Sequence, residues 1–190
     1  MLKTDHILVK RLKNGDEVAF RQLVNDFQDK VFNTCISLVK DADDADDLTQ
    51  ETFIEVYHSI HKFRADSRLS TWIYRIAVNK SLEHLRRLKR KKRTGILTWI
   101  SSQDPEPAFQ VSDFNHPGVL AEKREQAKIL IMAIDKLPEN QKIAFTLHKM
   151  EDLSYEEIAE IMKKSLSSVE SLMHRAKINL RKDLSDYYNS

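Results

Sequence analysis

Apolar residues recur every three or four positions along most of this chain, with polar residues on the opposite faces. This is the pattern of amphipathic helices rather than of strands. Asn14-Gly15 signals a turn, and Asp16 after it can cap a helix carrying Phe20, Leu23, Val24 and Phe27. Val31, Cys35, Leu38 and Val39 continue the pattern in a second helix. A third is expected from about Asp43 to His61, with Ala45, Leu48, Thr52, Val56 and Ile60 as its inner stripe. Beyond the polar stretch Arg64–Arg68, a fourth runs from about Ser70 to Arg93 and buries Ile73, Ile76, Ala77 and Leu85. Four helices around one core make a small bundle.

The periodicity fails from Thr94 to Gly118, where Gly95, Pro105, Pro107, Pro117 and Gly118 give the composition of an extended linker. Trp99, Phe109 and Phe114 within it suit docking, either on a partner or on the flanking domains. Helical signals resume near Val119. Ile129, Ile131, Ala133, Ile134 and Leu137 mark one helix, Pro138 breaks it, and Asn140–Lys149 forms the next. In Leu153–Met162, Ser154 and Glu157 have the spacing of a capping box. Lys163–Leu166 forms a short turn, and a last helix runs from near Ser167 to Leu184. Val169, Leu172 or Met173, Ala176, Leu180 and Leu184 face inward along it. The expected fold class is all-α, with two small helical domains: an N-terminal helix bundle (1–94) and a C-terminal helix-turn-helix (121–190), joined by an extended linker (95–120).

Composition supports this reading. Only 3 glycines and 4 prolines occur in 190 residues, too few for the many tight turns of a sheet protein. Charged residues at 32% and hydrophobic ones at 41% suit a globular protein rather than a disordered one. The net charge of +2 hides a segregation. Asp41, Asp43, Asp44, Asp46 and Asp47 form an acidic pole, and Arg86, Arg87, Lys89, Arg90, Lys91, Lys92 and Arg93 a basic one. Separate poles suit two kinds of partner, although solvated helix ends would look the same.

The single cysteine excludes an intrachain disulfide, and Cys35 sits in an apolar stretch that suits a buried, inert thiol. No apolar run approaches the ~18 residues of a membrane span. The first residues lack a signal-peptide core, so a cytoplasmic location is expected. His58 and His61 stand at i, i+3 without a further ligand nearby, which reads as surface histidines and no metal site. With no carboxylate pair, Ser/His/Asp set or phosphate loop, no catalytic residue is assigned, no cofactor is implied, and the chain is not expected to be an enzyme.

Three faces remain as binding candidates. The last helix turns Ser168, Ser171, Arg175, Asn179 and Lys182 away from its inner stripe. Short hydroxyls near its start allow close approach to base edges, and Arg175 can donate two parallel hydrogen bonds to a guanine. An ordinary helical hairpin with a solvated basic face has the same pattern. On the third helix, Asp47, Gln50, Glu51 and Ile54 fall at i, i+3, i+4 and i+7, with Phe53 and Tyr57 at the border. Exposed apolar groups among acids suit a protein partner with basic residues; solvated surface is the alternative. On the fourth, Arg68, Trp72, Arg75, Asn79, Glu83 and Arg86 step by three or four. Aromatic, amide and arginine on one face suit unstacked bases, and a Trp partly buried in the bundle would fit equally well.

Taken in order, these segments resemble bacterial sigma factors of the extracytoplasmic-function (ECF) type, the small two-domain group of the sigma-70-related family. The resemblance runs from about Asp16 to Leu184. Asp46-Asp47-Leu48-Thr49-Gln50-Glu51-Thr52-Phe53 is similar to the segment that binds the polymerase clamp helices. Phe63-Arg64 through Ser70-Thr71-Trp72-Ile73-Tyr74-Arg75-Ile76-Ala77-Val78-Asn79 is similar to the reader of the −10 promoter element. Leu137-Pro138-Glu139-Asn140-Gln141, Ser154-Tyr155-Glu156-Glu157-Ile158-Ala159 and His174-Arg175-Ala176 are similar to the −35-binding domain.

The resemblance implies that Asp47, Gln50, Glu51 and Phe53 bind polymerase. It implies that the loop with Asp66, Ser67, Arg68 and Ser70 pockets an extruded −10 base, and that Trp72, Arg75 and Asn79 support strand separation and readout. Ser168, Ser171, His174 and Arg175 would contact the −35 duplex. The implied partners are core RNA polymerase, promoter DNA (duplex at −35, single-stranded at −10) and an anti-sigma factor, with no membrane insertion. The chain departs from the pattern at Glu170 and Leu172, where basic residues are usual, at Lys163, where glycine is common, and at Glu83, usually aspartate. A dimeric helix-turn-helix repressor or a protein-binding adaptor would each explain one face and leave another unused.

Overall fold

The computed structural model describes residues 3–94 and 129–188. The expected linker, with Trp99, Phe109 and Phe114, and the onset of helix near Val119 lie outside the described residues. The helices are α1 (Lys3–Lys13), α2 (Glu17–Val39), α3 (Ala42–Ser59) with a 3-10 turn at Ile60–Lys62, α4 (Leu69–Thr94), α5 (129–135), α6 (Glu139–Met150), α7 (Tyr155–Met162) and α8 (Leu166–Tyr188). No strand occurs among the described residues. The chain divides into two compact units, one containing α1 to α4 and the other α5, α6, α8 and the start of α7.

The first unit has four helices, but not the four expected. The two helices read over Phe20–Val39 are one helix of 23 residues. No Gly or Pro interrupts it, and the polar run Gln28-Asp29-Lys30 is its outward face. The fourth member is α1, which the sequence reading passed over. It buries Val9 and Leu12, and it ends at Gly15, whose φ of +76° suits a residue without a side chain. Asn14-Gly15 is thus the stop of one helix as much as a turn before the next. Asp16 caps α2 by accepting from the Val18 and Ala19 N–H groups, both at 3.0 Å. Its other oxygen accepts from Arg11 Nε at 2.7 Å, which ties α1 to the start of α2. The Arg11 guanidinium, followed by the capped backbone, holds the Asp16 carboxyl below its usual range.

Helices α2, α3 and α4 each pack on the other two, and α1 lies against α2 and the 3-10 turn. Leu23, Val31, Val56, Ile73 and Ala77 are fully enclosed between them. Burying each of the larger side chains contributes about 1.5–3 kcal/mol. Small hydroxyls fill the closest contacts at little cost, because each donates to the carbonyl four residues earlier. The bonds are Thr34 to Lys30 (2.9 Å), Thr49 to Ala45 (2.7 Å), Thr52 to Leu48 (2.7 Å) and Ser81 to Ala77 (2.9 Å). Cys35 is enclosed as expected, and burial pushes its thiol up, away from the reactive thiolate. On α4, Ile73 and Ala77 are buried and Ile76 and Leu85 only half so; Tyr74, Val78 and His84 complete the buried side.

In the second unit, Ala133 and Leu137 pack on Ala176 and Leu180. Ile143, Leu147, Ile158, Val169 and Met173 are buried in the rest of this unit. Met173, not Leu172, takes the inward place on α8. The Pro138 carbonyl accepts from the N–H groups of Gln141 (2.8 Å) and Lys142 (3.0 Å), so the proline that ends one helix starts another. Buried polar groups are paired: Lys142 Nζ donates to Asp135 at 2.6 Å, and Asn179 donates to Gln141 at 2.8 Å. The exception is Thr146, whose buried hydroxyl has no partner among the described residues. No helix among the described residues is long and apolar enough to cross a membrane.

Candidate polymerase-docking and DNA-reading surfaces

The acidic pole divides into structural acids and one outward acid. Asp41 caps α3 through the Asp44 N–H at 2.9 Å, and Asp43 and Asp44 lie in its first turn, where carboxylates suit the helix dipole. Asp44 also accepts from His84 Nε2 on α4 at 2.9 Å. Because His84 Nδ1 faces Arg87 Nη2 at 3.1 Å and must accept, Nε2 carries the proton. Asp46 accepts from Gln50 at 2.8 Å. Asp43 and Asp47 have no hydrogen-bond or ion-pair partner among the described residues and both are exposed, but only Asp47 shares a face with Gln50, Glu51 and Ile54.

Asp47, Gln50, Glu51 and Ile54 form the expected outward face, with Ile54 58% exposed and Tyr57 49% exposed against the Phe20 ring. Glu51 meets Lys80 Nζ at 3.3 Å. An exposed pair of this kind contributes at most about 1 kcal/mol, so it leaves Glu51 free to exchange partners. Phe53, expected at the border of this face and implied by the resemblance to bind polymerase, is a core residue, 6% exposed. The reason is the width of the buried arc: α3 packs on both α2 and α4, so Thr49 and Phe53 turn inward beside Leu48, Thr52 and Val56. Phe53 can shape the face but does not line it.

The loop between the 3-10 turn and α4 holds Asp66 and Arg68 exposed and Ser67 half-buried, while Ser70, expected in the loop, is half-buried in the first turn of α4. Ala65 has a φ of +62°, a left-handed conformation that costs a residue with a Cβ about 1–2 kcal/mol. Tertiary contacts sustain it: Phe63 is buried, and its ring lies 5.1 Å from that of Trp72. Trp72 is therefore half core and half surface, as expected for a Trp partly buried in the bundle. Arg75 is half-buried beside it, and Asn79, Glu83 and Arg86 are exposed further along α4.

The second unit displays its candidate residues differently. The capping box forms as expected, with Ser154 N–H donating to Glu157 at 2.9 Å and Glu157 N–H donating to Ser154 Oγ at 3.2 Å. His148 Nδ1 donates to the Leu153 carbonyl at 2.9 Å and its ring meets Tyr155 edge-on, which fixes the entry to α7. The turn after α7 bends at Lys163, whose φ is +53°. That is the physical reason a glycine suits this position. Ser165 caps α8 by accepting from the Ser168 N–H at 3.2 Å, so the helix opens at Leu166, slightly earlier than expected. Ser168, Ser171, His174 and Arg175 are all exposed, and among the described residues His174 and Arg175 have no side-chain partner. Asn179, expected outward, is half-buried and bonded to Gln141, so it is a packing residue.

Two features escaped the sequence reading. The Asp44–His84–Arg87 link joins α3 to α4 over 40 residues and has no local signature. Helix α1 did have one, since Val9 and Leu12 stand at i, i+3 ahead of a glycine stop.

A chain with an acidic-apolar docking face, an aromatic-basic helix and a helix-turn-helix has the architecture of a promoter-recognition factor. Residues 23–91 match the family Sigma-70 region 2, and residues 127–180 match the family Sigma-70, region 4. The ECF RNA polymerase sigma-E factor of Escherichia coli (strain K12) is 36% identical over 174 residues, 92% of this chain and 91% of that protein. The RNA polymerase sigma-H factor of Pseudomonas aeruginosa is 34% identical over 180 residues, 95% and 93% of the two chains. In fold, the chain is similar to CnrH in its complex with the cytosolic domain of CnrY, with a TM-score of 0.68 and 24% identity over 96% of this chain and 97% of that one. It is similar also to the Bartonella quintana sigma factor RpoE in complex with the anti-sigma factor NepR, with a TM-score of 0.68 and 22% identity over 87% and 96%. The chain belongs to the ECF sigma factors of the sigma-70 family. It is a transcription initiation factor that directs RNA polymerase to promoters, and not an enzyme.

Proposed function

We propose that the two units divide promoter recognition between them, in the cytoplasm. The first (1–94) docks on core polymerase through Asp47, Gln50 and Glu51, with Phe53 supporting them from beneath. It takes a base of the −10 strand between the loop of Asp66, Ser67 and Arg68 and Ser70 in the first turn of α4, while Trp72, Arg75 and Asn79 line the path of the separated strand. The second (121–190) lays α8 in the major groove at −35, with Ser168, Ser171, His174 and Arg175 toward the bases, and residues 95–120 join the two. An anti-sigma factor would compete for these surfaces.

The observation that carries this reading is the pairing, in one chain, of an exposed acid, Asp47, beside exposed apolar groups with a recognition-type helix whose outward His174 and Arg175, like Asp47, have no side-chain partner among the described residues. Each unit alone is a weak DNA binder. Polymerase holding both raises their effective concentration at a promoter. Extruding a base costs a few kcal/mol, offset by capture in a pocket.

Run-off transcription with purified core polymerase on genomic fragments tests the whole reading, and transcripts sharing −35 and −10 elements are the expected result. Asp47→Arg should weaken core binding at least about 30-fold, roughly 2 kcal/mol for a reversed interfacial charge, with thermal stability unchanged. Normal co-purification of that variant with core enzyme would remove the docking assignment.

A further inference from the structure

Helix α1 and the candidate base-capturing loop meet at one bond. Lys13, the last residue of α1, donates from Nζ to the backbone carbonyl of Phe63 at 2.6 Å. Phe63 stands between the 3-10 turn and the loop, and its N–H donates back to the Ile60 carbonyl at 3.1 Å. Two residues on, Ala65 takes its left-handed turn. At the far side of the loop, the Trp72 N–H donates to the Arg68 carbonyl at 3.1 Å, and the Trp72 ring closes on Phe63. The loop is thus anchored at its exit by the first turn of α4 and at its entry by Phe63, whose carbonyl is held by a residue 50 positions earlier. Lys13 is itself held in place. Val9, one turn back, and Leu12, its neighbour, are buried, and Arg11 is bonded to the Asp16 cap. It also precedes the residues matched to Sigma-70 region 2, which begin at 23.

We infer that Lys13 is a positioning residue for the −10 reader: through the Phe63 carbonyl, α1 sets the course of the loop and so how strictly the −10 base is discriminated. The inference rests on the reading that this loop captures a base. Lys13 is exposed and cationic, so a direct phosphate contact is the competing role. The two roles differ in what they predict. A positioning bond changes the ratio between correct and incorrect bases. A phosphate contact changes affinity for every sequence alike, and with it the salt dependence.

The test uses holoenzyme assembled with the full chain: wild type, Lys13→Met, Lys13→Arg, and a loop variant combining Asp66→Ala with Arg68→Ala. Open-complex formation is measured on promoters carrying each base at each −10 position, over a range of salt, together with core affinity. Lys13→Met should lower the discrimination ratio about tenfold, as expected for loss of one charge-assisted hydrogen bond. Lys13→Arg should restore most of it, with core affinity and salt slope unchanged. A uniform loss across all promoters, with the salt slope reduced by about one, would make Lys13 a phosphate contact and overturn the inference. If the loop variant loses discrimination while Lys13→Met keeps it, the inference falls and the loop reading stands. If neither changes discrimination, both fall.

Discussion

On α8, the four residues proposed for the −35 duplex are exposed and bonded, where bonded at all, only within their own helix or its cap. In the first unit, several of the residues proposed for the −10 strand are partly built into the fold: Ser67, Ser70, Trp72 and Arg75 are half-buried, though Asp66, Arg68 and Asn79 are exposed. Trp72 rests on Phe63, Phe63 is held by Lys13, and the loop they bracket contains a backbone conformation that local preference disfavours. The contrast suits the two proposed tasks. A major groove is a fixed shape that a rigid helix enters side chain first, so display is enough. An extruded base needs a cavity that matches it, and a cavity needs walls supplied by several segments.

Replacing Trp72 should expose this difference most sharply. Trp72→Ala removes a half-buried ring from Phe63 and should lower the stability of the first unit by about 2 kcal/mol, part of the usual cost of a fully buried aromatic. It should also impair opening more than initial binding. Trp72→Phe keeps the packing and isolates the second effect, so unchanged permanganate reactivity of −10 thymines in that variant would count against the assignment. Arg175→Ala is the counterpart. It should reduce discrimination at one −35 base pair by about 1–2 kcal/mol, read in competition binding of holoenzyme. Its thermal stability should stay within about 0.5 kcal/mol of wild type. A large fall in stability would show that α8 is not merely a display helix.

Smaller effects test the packing behind each surface. Thr146→Val replaces a buried, unpaired hydroxyl by a methyl group and should stabilise the second unit by about 1 kcal/mol in denaturant unfolding. A loss of similar size would mean the hydroxyl has a partner. In the first unit, the Asp16 carboxyl lies below its usual range, chiefly through the Arg11 bond. Its contribution is complete above the ordinary carboxylate pKa and is lost as pH falls through the lowered one, because protonation then removes what the cap and the ion pair supply. Asp16→Asn keeps much of the cap and loses the charge, so the variant should show a shallower fall in stability below about pH 4.

Much of this protein was determined by local chemistry and so is legible in the residues themselves. The inner stripe of α3, the Asp16 and Ser154 caps, the Pro138 break and the outward set of α8 all depend on neighbours within four positions. The ordered motifs of the family are legible for the same reason, each being a short run on one helix. What only the tertiary structure decided is which residues at the border of a stripe turn inward. Phe53 and Asn179 lie at such borders, and both became packing residues because a second helix covers the edge of the face. Tertiary structure also decided the joins: His84 to Asp44 over 40 residues, and Lys13 to Phe63 over 50. A hydrogen bond between distant segments leaves no period in the sequence, because its partners are brought together only when the core between them is buried.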